Sequence, residues 1–531
     1  MACQPSFILF ITDQHHADFL GCQGHPLVKT PHIDAIAAAG TCFDQFHVSS
    51  PVCMPNRASL MTGRMPSVHG VRSNGIPLSV DAVTFVDLLR DAGYATGLIG
   101  KSHLQNFTGR APLAPKAVGD ADLRPPSPEN AKATRGDNKA PVYEQESPTF
   151  WSDPSNRVAT PFYGFDHVEL VTGHGGGVDG DYARWLAERH PDPASLIGAE
   201  NQLPHDYTCP QAVRTKIPEA LYSSRYIGER AAAFIERHAQ DDRPFFLMVS
   251  FPDPHHPFNP PGKYWDMYDP DDFASPEAFR RQDWVAPPHV AGVFEEKRTG
   301  TANLTGMFTL EVTERQAREA RALTAGMITC LDDAIGLVTE SLERSGARDD
   351  TVRCFTADHG DHLGNHRLVF KGAEQYRDIL RVPFIWADPT MAEAPKRTSA
   401  LGSTKDIPAT ILARAGLAPF LGMQGKNLVA ILEGATESVQ DNILIQYDHQ
   451  RVNTGLGRPP KVHTLLDGRW RINVFQGVDW GELYDLETDP GEFDNLWDDP
   501  AHANEKNRLI EQMLRAELDV IDTVPLPTAQ A

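Results

Sequence analysis

Apolar, β-rich runs recur along this chain at residues 7–12, 95–99, 245–251, 352–356 and 382–386, with amphipathic stretches such as 84–92 and 320–344 between some of them. That alternation predicts an α/β chain built on a mainly parallel sheet covered by helices. In such sheets ligands gather beyond the carboxyl ends of the strands. Asp13-Gln14, Lys101-Ser102-His103, Pro254-His255-His256-Pro257 and Asp358-His359 each follow one of these runs, which is what a single convergent site requires. After about residue 425 the texture changes. Stretches 442–447, 462–466 and 469–475 read as strands joined by turns, followed by Glu482-Leu483-Tyr484-Asp485 and a helix over 503–518. The expected organisation is a large domain over 1–425 and a smaller α+β subdomain with an antiparallel sheet over 426–531. Two aperiodic segments, about 105–157 and 252–301, read as insert loops that either wander on the surface or face a substrate.

A formal net charge of −22 over 531 residues argues against nucleic acid or an anionic membrane surface as partner. An anion site in such a chain needs its own local cluster of cations. Seven cysteines lack disulfide-like clustering, and no basic, apolar, small-residue leader precedes the first strand. The expected compartment is therefore reducing, the cytoplasm. The run 7–12 is about six residues long, against roughly 20 for a membrane span, and reads as a buried strand.

Cys53-Met54-Pro55-Asn56-Arg57, with Gly63-Arg64 beyond it, is the most specific segment. Pro55 suits the first turn of a helix and Gly63 its end, which puts Cys53 at a helix N-terminus. Backbone N–H groups there, with the Arg57 guanidinium one turn along, favour an anionic ester and negative charge on a nucleophile. A lone cysteine is more often a small buried residue. It is the Cys-x-Pro-x-Arg spacing that argues otherwise. An Asp after a strand is commonly a turn residue or helix cap, and Lys101 and His103 taken alone read as surface groups. Two pairs such as Asp13-Gln14 and Asp358-His359, meeting at one sheet edge, can instead bind a divalent cation through oxygen and imidazole.

The Cys53 motif with Leu60-Met61-Thr62-Gly63-Arg64 resembles the signature of the type I sulfatases, a branch of the alkaline phosphatase superfamily in which this Cys becomes formylglycine. The resemblance continues through Gly100-Lys101-x-His103, Pro254-His255-x-Pro257, Arg381-Val382-Pro383 and 481–492. It implies an alkaline-phosphatase-like α/β/α fold. It further implies Asp13, Gln14, Asp358 and His359 as ligands of one divalent cation, Ca2+ or Mn2+, with the modified Cys53 completing the shell. Lys101 would hold the sulfate, with Asn74 as a further ligand for it. Arg57 would favour ionisation of the nucleophile, His255 would protonate the leaving oxygen, Lys371 would face that oxygen, and His103 would assist turnover. His15, His16, His362 and His366 match no such role and read as structural or solvent-facing.

The implied activity is hydrolysis of sulfate monoesters, with a small-molecule sulfate ester and a formylglycine-generating maturase as partners. A phosphonate monoester or phosphodiester hydrolase on the same scaffold is the alternative. That branch resembles this chain in Asp-Gln and Asp-His but carries hydroxyl residues where Lys101 and His103 stand. A catalytically silent binding homologue is a further reading, opposed by the retained nucleophile, metal set and lysines. Self-association through the late strands or the Pro-rich tail from Val524 is left open.

Overall fold

The computed structural model describes residues 4–113 and 141–530, apart from 240, 242, 282, 392, 393 and 395. Among the described residues a nine-stranded sheet comprises β1 (Ser6–Thr12), β2 (Thr41–His47), β3 (Ala95–Gly100), β4 (His167–Thr172), β5 (Asp179–Gly180), β6 (Phe245–Ser250), β8 (Thr351–Ala357), β10 (Phe384–Ala387) and β11 (Arg397–Ser403). Between them in the chain, β7 (Leu310–Glu311) and β9 (Leu368–Val369) form a separate antiparallel pair. The order across the large sheet is β11-β2-β10-β8-β1-β6-β3-β4-β5. Neighbours pair in parallel except at β10, antiparallel to β8 and β2, and at β5, antiparallel to β4. The mainly parallel sheet expected from the alternating runs is present.

Alternate residues of the central strands enter different cores. Phe7, Leu9 and Ile11 pack with Phe246, Met248, Val352 and Cys354 on one face, while Ile8 and Phe10 pack with Phe245, Leu247, Val249 and Phe355 on the other. A strand covered on both faces has no polar side to show, which is why these segments read as unbroken apolar runs. The helices Ser223–His238 and Glu314–Arg344 cover the second face. The latter is long and apolar enough to cross a membrane, but most of it is buried inside the protein, packed chiefly on the helix Ser223–His238. Its start is fixed by a capping box between Thr313 and Gln316, and Phe85–Asp91 begins with another, between Thr84 and Asp87.

A second, antiparallel sheet contains β12 (Ile443–Asp448), β13 (Lys461–Leu466), β14 (Trp470–Phe475) and β15 (Gly481–Asp485) in that order. Ile443 and Ile445 of β12 point into the core shared with the large sheet. Leu444 between them packs with Leu509, Met513 and Ala516 of the helix Ala503–Asp519. The smaller sheet is thus wedged between its own helix and the core of the large sheet. One segment read as aperiodic, 252–301, contains the helix Pro288–Arg298, whose apolar residues are too few and too scattered to show a period. The other, 105–157, falls partly outside the described residues. Its described end returns to the sheet edge through Glu146.

Candidate active site

The site lies at the carboxyl edge of the parallel strands. Asp13 and Gln14 leave β1, Lys101 leaves β3, His255 and His256 lie five and six residues past β6, and Asp358 and His359 leave β8. Between β3 and β6 the backbones close tightly at Gly100. With φ +110°, a Cβ there would meet the Ser250 carbonyl oxygen at 1.8 Å, so glycine lets Lys101 turn inward.

Cys53 is the first residue of the helix Cys53–Thr62, which ends at Gly63 in the left-handed conformation, as the sequence predicts. The N-terminus is not left open. Met54 N donates to Asn74 Oδ1 at 3.0 Å, so Asn74 caps this helix beside Cys53. Asn56 ties that helix to the sheet edge by donating to the Asp358 carbonyl at 2.6 Å and accepting from Ser49 N and Thr404 Oγ1.

Ligand atoms of Asp13, Cys53, Asp358 and His359 all lie within 4.8 Å of one another, and all four residues are buried. His359 Nδ1 donates to the Gly360 carbonyl at 3.0 Å, which fixes the tautomer and leaves Nε2 as a lone pair 3.1 Å from Cys53 Sγ and 3.5 Å from oxygens of both aspartates. Gln14, with φ +61°, is held by Asp361 at 2.5 Å and by His256 Nδ1 at 2.9 Å, so its Oε1 faces the ammonium of Lys371 at 2.8 Å. Lys371 Nζ is also 2.8 Å from His359 Nε2 and 3.3 Å from Cys53 Sγ. Carboxylate oxygens, an amide oxygen and an imidazole lone pair that converge on one small volume and draw cationic donors into it form a donor set suited to a hard or borderline divalent cation.

Opposed to these acceptors is a buried set of cations. Arg57 donates from Nε to Asp358 Oδ2 at 2.7 Å and from Nη1 to the Lys101 carbonyl and Ser250 Oγ, while its buried Nη2 has no hydrogen-bond partner among the described residues. Burial works to raise the Asp358 carboxyl, but the adjoining His359 imidazole and the charges of Arg57, Lys101 and Lys371 override it and hold the group well below the usual carboxylate range. Lys101 pairs with Asp13 and is pushed down to about 7, chiefly by burial and against the pull of Asp358. Burial pushes the Cys53 thiol up, with Lys371 and Arg57 pulling the other way.

His255 Nδ1 donates to the His256 carbonyl at 2.5 Å, leaving its buried Nε2 without a partner among the described residues. His103 stacks on Phe107 with centroids 3.8 Å apart, and its Nδ1 is likewise unpaired. Burial keeps both imidazoles neutral, well below the ordinary histidine value. The backbone that carries His103 is clamped by Glu146, which accepts from His103 N, Leu104 N and Gln105 N at 2.7–3.0 Å. Glu146→Gln replaces one acceptor oxygen by an NH2 group facing a backbone donor. An unsatisfied buried donor costs about 1–3 kcal/mol. The expected result is a lower unfolding midpoint and reduced turnover, measured by urea titration and steady-state assay.

Every residue expected at the site therefore lies at or beside this edge. The alternative of solvent-facing His15, His16, His362 and His366 is corrected, because all four are buried. His16, for example, pairs with Asp378 at 3.2 Å. Residues to which the sequence assigned no role are Glu146, His174, Asp361 and His256, the last passed over in favour of His255. The one local signal for His174 is the glycine-rich run Gly173-His174-Gly175-Gly176-Gly177, the exit loop of β4, whose own apolar pattern is interrupted by Glu169.

The chain is similar to known proteins over nearly its whole length. It is 26% identical over 514 residues to an uncharacterized sulfatase, YidJ, of Escherichia coli, covering 96% of this chain and 86% of that one. It is 24% identical to an arylsulfatase of Clostridium perfringens, covering 93% and 90% of the two chains. The structure of a phosphonate monoester hydrolase of Agrobacterium radiobacter superposes with a TM-score of 0.74 at 24% identity, covering 98% and 97% of the two, a likeness of fold. The family model for the C-terminal part of N-sulphoglucosamine sulphohydrolase matches residues 364–519, and the sulfatase family model matches residues 5–417, most of the chain. The protein belongs to the sulfatase family, whose members are hydrolases acting on sulfuric ester bonds.

Proposed function

We propose that the buried cluster around Cys53 cleaves sulfate monoesters with formylglycine at position 53 and one divalent cation held by Asp13, Gln14, Asp358 and His359. The observation that carries this reading is the convergence of four ligand groups, two lysines and an arginine on one cysteine at the start of a helix. Bound there, the cation would act as a Lewis acid on the ester oxygens and the nucleophile. Formylglycine would supply a hydrated aldehyde, one hydroxyl as nucleophile and a second whose deprotonation releases sulfate.

The chain's own groups do the rest. Lys101 and the unpaired Nη2 of Arg57 cover the negative ester oxygens, and Lys371 faces the oxygen on which charge develops as the S–O bond breaks. Water is excluded by burial, which strengthens each of these contacts. His255 Nε2, without a partner among the described residues, carries a proton to the leaving oxygen once the anion is bound. His103 takes one from the nucleophile residue for product release. Asn74 orients the helix start that presents residue 53. Cys53 is 1% exposed, so a maturase has to reach it before the helix closes.

The Lys101/His103 pair favours a sulfate monoester over a phosphonate or phosphodiester. On matured protein, kcat/KM for an aryl sulfate is expected to exceed that for the matching phosphonate monoester by at least tenfold, or ~1.4 kcal/mol in transition-state stabilisation. Parallel assays giving the reverse order would transfer the chain to the phosphonate reading. Mass spectrometry of the peptide containing Cys53 reports conversion. Unmodified thiol after coexpression with a maturase, together with no hydrolysis, would favour the silent homologue.

A further inference from the structure

His174 belongs to none of the groups assigned so far, yet it touches three of them. Its Nε2 lies 2.7 Å from Lys101 Nζ and 3.3 Å from Asp13 Oδ2. Its ring stacks on His255 with centroids 3.7 Å apart and planes 9° from parallel, and the edge of Phe107 meets it at 5.1 Å. The exit loop of β4 is built to allow this approach. Gly175 has φ +55°, and a Cβ there would lie 2.9 Å from Pro257 Cδ, so a larger residue would push the loop off the turn that carries His255 and His256. Asn259 pins the same turn by accepting from Gly176 N at 2.8 Å once its amide is oriented to satisfy its neighbours.

We propose that His174 is a positioning residue for sulfate ester cleavage. Its Nε2 accepts from Lys101, and its ring fixes the plane of His255, so one imidazole aligns the ammonium that covers the ester and the imidazole that serves the leaving oxygen. An ammonium has three N–H donors. Two are committed to Asp13 and His174, and the third is thereby aimed at the substrate. This inference rests on the sulfatase reading above.

The test uses matured full-length protein and a series of aryl sulfates of graded leaving-group acidity. His174→Ala is expected to lower kcat/KM about tenfold for the best leaving group and about 100-fold for the poorest, because help to the leaving oxygen matters most where that oxygen is basic. His174→Gln restores an acceptor for Lys101 but no stack, and should recover the level with the slope still steep. His174→Phe restores the stack without the acceptor, and should recover the slope with the level still low. A wild-type slope and level in His174→Ala would overturn the proposal. So would an equal loss across the series that neither Gln nor Phe separates, since that is a folding defect alone. Wild-type turnover of the series is measured first. Its absence would remove the sulfatase reading and this inference together, whereas its presence leaves only the His174 assignment at stake.

Discussion

Cys53→Ala is expected to abolish sulfate ester turnover, by at least about 10^4-fold in kcat, while leaving the fold intact. The residue is buried at the first position of its helix, and its Sγ is flanked by His359 Nε2 at 3.1 Å and Lys371 Nζ at 3.3 Å. Nothing apolar depends on the sulfur in a way that methyl cannot approximate, and the helix start is held instead by Asn74 and Asn56. Circular dichroism and the urea midpoint should therefore match the parent. The lysines, the arginine and the ligand carboxylates would remain to bind the ester without a group to attack it. Wild-type-like hydrolysis in this variant would reveal another nucleophile and dissolve the proposed mechanism.

Arg57→Ala is expected to damage both stability and activity. Arg57 and Asp358 are 1% and 0% exposed, and the Nε–Oδ2 contact is 2.7 Å. Removing one member of a buried pair leaves an uncompensated charge and costs about 3–5 kcal/mol, whatever the net worth of the intact pair. The same deletion frees the Lys101 carbonyl and Ser250 Oγ, so three elements lose a common anchor. Lysine should not rescue it, because a single ammonium cannot reproduce the planar fork that meets three acceptors. The sign with pH follows from the depressed Asp358 carboxyl. Its contribution to stability is fully present above the unfolded value of about 3.9 and is lost as pH falls through the lower folded one. In the variant that loss moves to higher pH. Urea midpoints at pH 7 and pH 4 measure both effects, and a midpoint at pH 7 within error of the parent would show that His359 and the two lysines balance the carboxylate without Arg57.

Where side chains alternate between two buried cores, the strands were readable directly. The runs at 7–12, 95–99, 245–251 and 352–356 differ from β1, β3, β6 and β8 by one residue at most at either end. The outer strands β2 and β4 were not readable in this way. Asp44 and Gln45 in one, and His167 and Glu169 in the other, are only half-buried and break the apolar run. The loss of β4 concealed its exit loop, and with it His174. Asn74 shows the opposite difficulty: its proximity to the anion site was expected, but its bond to Met54 depends on how the chain returns from residue 63 to 74, which no local pattern encodes.

Sequence alone picked out the candidate groups of the proposed site, because the cysteine, guanidinium, lysines and candidate ligand residues occur in short motifs whose spacing is fixed by a helix start or a strand end. Tertiary structure alone decided their relations: which carboxylate Arg57 holds, which nitrogen of His359 is free, and that Gln14, Lys371 and His256 share one network. Those contacts join residues hundreds of positions apart, as Gln14 and Lys371 are. Their energies come from burial in a common low-dielectric volume, which forms only when the sheet brings its strand ends side by side.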